Sequence, residues 1–288
     1  MPTRITIAID NSVPTHSTQP FVGEHGLSIL IETGDTRLLL DTGQTGAVVH
    51  NLSLLGVSPS SIDHVILSHG HYDHTGGLAS LLAHARKTMP VYLHDDAFQP
   101  RFSLSDGQRR FVGIPFRQAH LSALGADFRP LREAQEILPG FWLSGSVPRV
   151  TPFETGDARL VVHDTTCNCD RQDAIADDMA LFCATGEEGK NGGRGLVVIS
   201  GCTHSGLVNM VRHGLAVTGA KRLAGWIGGT HLGPASARQQ EQTIDELQTL
   251  SPDFVIAGHC TGFRMMARLY AVFGERFIPG HVGTTIEF

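Results

Sequence analysis

The segment Ser68-His69-Gly70-His71-Tyr72-Asp73-His74-Thr75-Gly76-Gly77 packs three imidazoles and one carboxylate within six residues, directly after the apolar run Val65-Ile66-Leu67. Neutral imidazole is the commonest protein ligand for zinc and similar metals. A carboxylate suits harder ions or a shared bridge. His69, His71, Asp73 and His74 could therefore serve two adjacent ions, which points to metal-assisted chemistry on an oxygen-bearing substrate. A single surface histidine carries no such message. Four ligand-type residues at His-x-His-x-Asp-His spacing, with two glycines behind them, do.

Two further apolar runs end in the same way. Leu196-Val197-Val198-Ile199-Ser200 runs into Gly201-Cys202-Thr203-His204, and Phe254-Val255-Ile256-Ala257 runs into Gly258-His259. Each puts a histidine just past a buried-type strand, where α/β sheets carry their ligand sites. His231 follows another strand-like run through Gly228-Gly229-Thr230. The glycines would let backbone amides, that of Gly229 among them, approach a substrate oxyanion or phosphate. His231 fits substrate binding or proton transfer as a general acid, against a purely structural role. His25, in Glu24-His25-Gly26, either lines the same pocket or is incidental.

The His69–His74 cluster resembles the signature of the metallo-β-lactamase fold superfamily, and Asp41-Thr42-Gly43 resembles the Asp-Thr-Gly that precedes that signature. Gly201-Cys202-Thr203-His204-Ser205-Gly206, Gly228-Gly229-Thr230-His231-Leu232 and Gly258-His259-Cys260-Thr261-Gly262 are similar to one branch, the dihydropterin-ribofuranosylaminobenzene-phosphate synthase-like proteins. The resemblance implies a single α/β domain over residues 1–288, an αββα four-layer sandwich of two similar ββα halves. It implies that His69, His71 and His204 hold a first metal, and Asp73, His74 and His259 a second. An acidic bridge is also implied. Familiar hydrolases place a histidine before the penultimate ligand strand and an aspartate after it. This chain has Asp177-Asp178 before and His204 after, so Asp178 is the expected bridge and Asp177 the alternative, against a turn or helix cap. Asp73, Asp178 and His231 are then the catalytic candidates, and His25, Gly229 and His231 the substrate-binding ones. Two divalent ions per chain are expected. Zinc leads on the histidine count, while iron or manganese also suits mixed imidazole and carboxylate ligands.

These residues need strand ends to carry them. Apolar runs alternating with amphipathic segments predict mixed α/β layers. Strands are predicted at 4–9, 27–32, 37–41, 64–68, 91–94, 141–144, 160–163, 179–184, 196–200, 222–227, 254–257 and 284–288. Helices are predicted at 46–55, 77–84, 205–217, 236–250 and 262–273, with a hairpin turn at 31–36. Residues 95–140 have weaker periodicity and several prolines and arginines, and suggest an insertion that covers the site or makes a subunit contact, as in a homodimer. Arg101, Arg109 and Arg110 could grip a phosphate there or form a solvated face. The glycine-rich segment 186–195 looks like a hairpin tip.

Composition narrows the class. The chain has 288 residues, 41% of them hydrophobic, enough for a large core. A net charge of −6 without a basic block disfavours nucleic acid, and no apolar run nears the roughly 18 residues of a membrane span. A small-molecule substrate is the expected partner. The N-terminus lacks the pattern of a signal peptide. Five cysteines is an odd number, and Cys167 and Cys169 are spaced poorly for a local disulfide, so a reducing cytoplasm is expected. Cys202 and Cys260 flank proposed ligands, where they could bind metal, respond to oxidants or simply fill space. Three functions compete: a metal-dependent enzyme acting on a phosphorylated or pterin-like molecule, a general ester, lactone or phosphodiester hydrolase, and a metal-containing sensor without turnover.

Overall fold

The structure is a computed structural model that describes residues 2–164, 166–186 and 195–288. The chain divides into two compact units, residues 1–131, 157–177 and 281–288 in the first and residues 132–156 and 178–280 in the second. The expected hairpin tip at 186–195 lies almost wholly outside the described residues. Among the described residues, no helix is long and apolar enough to cross a membrane.

In the first unit, seven strands form one sheet in the order Thr285–Glu287, Thr3–Ile9, Ser28–Thr33, Thr36–Leu40, His64–Ile66, Met89–His94 and Ala126–Leu131. The two-residue turn Gly34-Asp35 joins Thr33 to its partner Thr36, with Gly34 at φ 56°. From Thr36–Leu40 onward the neighbours run parallel, so the chain crosses back through helices. Helices Ala47–Leu54 and Leu78–Ala85 do this. Their apolar residues recur three and four apart, and Val48, Leu52, Leu78, Leu81 and Leu82 pack into one core with Leu39, Val65 and Val91. That core holds the ends of Thr36–Leu40 and His64–Ile66 side by side, and the cluster begins just beyond.

A four-stranded antiparallel sheet also belongs to the first unit, in the order Cys169–Gln172, Leu160–Asp164, Arg101–Ser105 and Gln108–Phe111. Its hairpin at 101–111 comes from the segment with weak periodicity. Gln108–Phe111 is exposed at every position, so no burial alternation marks it in sequence. The same segment supplies helix Gln118–Ala123 and the edge strand Ala126–Leu131. Cys167 and Cys169 are joined as a disulfide, which corrects the expectation from spacing. Asn168 between them sits at φ 49°, a turn conformation that brings the flanking side chains together and that asparagine tolerates.

In the second unit the sheet order is Phe277–Pro279, Phe254–Ala257, Arg222–Gly228, Gly195–Ser200, Ala180–Thr185, Phe141–Leu143 and Gln135–Leu138. The first four are mutually parallel and the last three antiparallel. The parallel strands are buried almost throughout and alternate with helices Leu207–Thr218, Ala237–Leu250 and Gly262–Phe273. Leu207, Met210, Val211, Trp226, Leu247 and Leu269 meet in its core. Parallel strands gather their carboxyl ends on one edge, and Cys202–Ser205, Gly229–His231 and His259–Thr261 all follow such ends.

Cys183 lies inside this sheet, and burial pushes its thiol from 9.0 up to about 12. Native protein should therefore leave Cys183 unmodified by an alkylating reagent at mild pH, with labelling, read by mass spectrometry, appearing only on denaturation. The unfolded chain ionises this thiol from about pH 9, whereas the folded chain holds its proton to about 12. Stability should fall as pH rises through that window, and Cys183→Ala should flatten the fall in denaturant midpoints.

Candidate metal centre

The first unit builds its ligand loop around Asp41. This residue ends strand Thr36–Leu40 in a left-handed conformation, φ 60°, and is fully buried. Its Oδ1 accepts from the Ser68 amide at 2.7 Å, and its Oδ2 from the Ser68 hydroxyl and from His74 Nδ1, each at 2.7 Å. These bonds assign the histidine tautomers. With Nδ1–H given to Asp41, His74 keeps a lone pair on Nε2. The Ser68 hydroxyl has spent its proton on Asp41, so its oxygen accepts from His69 Nδ1 at 2.9 Å, and His69 also turns a lone pair outward from Nε2. The His74 carbonyl is held by the Thr42 amide at 2.7 Å.

The ligand atoms converge. His69 Nε2 lies 2.9 Å from His71 Nδ1, the His69 and His74 rings are 4.3 Å apart, and Asp73 Oδ2 is 3.7 Å from His74 Nε2. All four side chains are buried, at 0 to 7% exposure. Two ring nitrogens that close, one carrying a lone pair, face each other comfortably only across a shared proton or cation. Imidazole and carboxylate donors of this kind suit zinc, with iron or manganese chemically compatible. His25, exposed, reaches Asp73 Oδ2 at 3.6 Å and stacks on Tyr72 with ring centres 6.0 Å apart.

Arg101 anchors the loop from behind. Its guanidinium is 1% exposed and meets Asp173 at 2.7 Å and both oxygens of Asp177 at 2.7 and 2.8 Å. Asp177 Oδ2 also accepts from the Gly70 amide at 2.7 Å. Burial alone would lower the Arg101 pKa, but Asp177 and Asp173 outweigh it and raise it. Arg101 is thus committed to carboxylates and cannot grip a phosphate. Arg109 stacks over Phe102 at 3.6 Å, and Arg110 stands 5.4 Å from the Tyr72 ring. Gly70 packs so tightly here that a Cβ would come 1.9 Å from the Ala97 carbonyl oxygen. Gly70→Ala should cost about 1–3 kcal/mol, seen as a lower urea midpoint.

The second unit places its candidates at its parallel strand ends. Thr203, His231 and His259 have φ of 65°, 47° and 49°, and backbone strain of this kind gathers at functional loops. The His204 and His231 rings are 4.2 Å apart, and the Thr203 hydroxyl donates to the Gly229 carbonyl at 2.8 Å. Cys202, His259 and Cys260 bring one ligand atom each to within 4.8 Å of one another. Asp178 is fully buried. Its Oδ2 accepts from the Ser205 amide at 2.8 Å and hydroxyl at 2.5 Å, while its Oδ1 makes no hydrogen bond of standard geometry among the described residues. Burial pushes its carboxyl up, partly offset by those Ser205 bonds. Asp178 therefore orients the loop that bears His204, and a buried carboxylate oxygen with spare capacity suits a cation. Gly229 needs correction as an amide donor to substrate. Its N–H is spent on the Gly201 carbonyl at 2.8 Å. Its missing side chain instead makes room for Cys260, whose sulfur would lie 2.6 Å from a Cβ.

Sequence alone did not single out Ser68, Arg101 or Ser205 for these positioning roles, nor Glu154, which accepts from the Val208 and Asn209 amides at the start of helix Leu207–Thr218. A lone serine or glutamate carries no spacing signal. For Asp41 the signal was present, in the Asp-Thr-Gly that closes an apolar strand.

Comparison with known proteins finds relatives over nearly the whole chain. The 7,8-dihydropterin-6-methyl-4-(beta-D-ribofuranosyl)-aminobenzene-5'-phosphate synthase of Methanocaldococcus jannaschii is 29% identical over 93% of this chain and 92% of its own. An uncharacterized protein of the same organism is 30% identical over 98% of this chain and 99% of its own. The crystal structure of Tm1679, a metal-dependent hydrolase of the beta-lactamase superfamily, superposes with a TM-score of 0.82 at 26% identity, covering 99% of both chains. Residues 22–165 match the metallo-beta-lactamase superfamily itself, and with the full-length relatives this shows that the chain has the metallo-β-lactamase fold and belongs to that superfamily.

Proposed function

We propose that this protein is a metal-dependent enzyme acting on a phosphorylated or pterin-like small molecule. The observation that carries this is the candidate ligand loop, in which the Ser68 and Asp41 bonds occupy Nδ1 of His69 and His74 while their Nε2 atoms face His71 and Asp73. The substrate class rests on similarity to the dihydropterin synthase over 93% of the chain. His69, His71, Asp73 and His74 are the proposed ligands of the first unit, and His204, His259 and Asp178 those of the second. Zinc is the proposed metal, two ions per chain. A bound divalent ion supplies Lewis-acid polarisation of a phosphoryl or acyl oxygen and activation of a nucleophile.

The protein's own groups do the rest. His25, with Nδ1 3.6 Å from Asp73 Oδ2, is the proposed contact for an anionic substrate group and a proposed carrier of a proton to it. His231 is the proposed proton donor to a leaving oxygen, its backbone held by the hydrogen bond that its N–H donates to the Cys260 sulfur at 3.3 Å. Asp178 keeps the His204 loop in place through Ser205.

A second reading, simple hydrolysis of an ester, lactone or phosphodiester, is favoured by the likeness to the hydrolase Tm1679. Elemental analysis of purified protein, followed by a panel pairing a dihydropterin that carries a phosphorylated 6-methylene leaving group with a ribofuranosylaminobenzene phosphate, the phosphorylated group departing as the aminobenzene partner bonds to that carbon, and including lactone and phosphodiester probes, separates the two. Condensation supports the synthase, and hydrolysis alone supports the second reading. A metal-loaded protein that turns over none of these sinks both and leaves the sensor.

A further inference from the structure

Within the second unit, the Cys202 and Cys260 sulfurs lie within 4.8 Å of each other at the ends of two separate strands. A disulfide needs about 2.05 Å between the sulfurs, so oxidation must draw the two together. The two residues differ in exposure. Cys202 is 4% exposed, whereas Cys260 is half-buried and lines a cavity with Gly233, Pro234, Gly262 and Phe263. The Cys260 sulfur accepts the His231 amide at 3.3 Å and points its own proton at the Cys202 carbonyl at 3.6 Å. An amide hydrogen bond stabilises negative charge growing on sulfur, and the carbonyl contact already aims Cys260 at its neighbour.

We propose that Cys260 and Cys202 form a peroxide-reactive pair, Cys260 attacking and Cys202 resolving. The Cys260 sulfur attacks one oxygen of hydrogen peroxide. The O–O bond breaks, the other oxygen leaves as water with the thiol proton, and Cys260 becomes a sulfenic acid. Cys202 then attacks that sulfur, and its proton leaves with the sulfenic hydroxyl as a second water. Two thiols are oxidised by two electrons and one peroxide is reduced to two waters. The new bond withdraws two soft donor atoms from the flank of His259. This pair does not depend on the catalytic assignment above, because it needs neither substrate nor turnover.

Full-length protein is treated with hydrogen peroxide, alkylated, digested without reductant and mapped by mass spectrometry. The expected product is a peptide pair joined between Cys202 and Cys260, two hydrogens lighter than the separate peptides and released by reductant, with Cys183 still unreacted. Cys202→Ser should abolish the link and leave Cys260 trappable by dimedone, and Cys260→Ser should leave Cys202 alkylatable. Circular dichroism confirms that each variant is folded. Wild-type protein in which both thiols stay alkylatable after peroxide, or in which Cys260 proceeds to sulfonic acid without a link, overturns the proposal.

Discussion

His69→Ala abolishes turnover and lowers bound metal by more than the roughly 10- to 100-fold that loss of an outer-sphere partner costs. His69 is buried and its Nδ1–H is pinned by Ser68, so no other side chain can bring an equivalent nitrogen to the spot facing His71 Nδ1. Asp41→Asn provides the graded comparison. The variant keeps the shape of the side chain, but an amide cannot accept from the Ser68 amide, the Ser68 hydroxyl and His74 Nδ1 all at once. His74 then loses its fixed tautomer, and metal affinity should drop by about 10- to 100-fold. Elemental analysis and calorimetric titration with zinc measure both. Unchanged metal content in His69→Ala would remove this loop from the metal site, and an Asp41→Asn protein with wild-type affinity would show that Asp41 serves only the backbone.

Arg101→Met destabilises the protein by about 3–5 kcal/mol, because Asp173 and Asp177 are left as buried, uncompensated carboxylates. Methionine fills much of the volume, so the loss reports charge and hydrogen bonding more than a cavity. Arg101→Lys recovers little, since one ammonium cannot reproduce the fork that meets Asp173 through Nε and Asp177 through both terminal nitrogens. Because Asp177 also holds the Gly70 amide, metal affinity should weaken along with stability. Urea unfolding monitored by circular dichroism gives the free energy. A loss under about 1 kcal/mol, the value of an exposed pair, would mean that solvent reaches this ion pair.

The candidate cluster and the regular elements were legible in the sequence because both are written locally. The His-x-His-x-Asp-His cluster spans six residues, and each strand that supports the site is a short apolar run that must be buried. All five predicted helices are present within two residues at each end, since periodicity and caps are short-range signals. The hairpin at 101–111 was not legible because it is exposed and has no buried face to impose alternation. The disulfide Cys167–Cys169 escaped because one left-handed residue, Asn168, overrides what spacing suggests.

By itself, then, the sequence determined the candidate ligands, the strands that end in them and the family they resemble. Only the tertiary structure decided which groups orient those ligands. The Ser68 and His74 bonds to Asp41 span 27 and 33 residues, and the Arg101 bond to Asp177 spans 76. An arginine in a polar segment reads as solvated, and nothing local reveals the two carboxylates that bury it. Likewise a glycine pair reads as room for substrate, until the folded backbone spends the Gly229 amide on Gly201 and gives the space to Cys260. Buried polar groups must find partners wherever the chain brings them, so such roles become readable only once distant segments share a core.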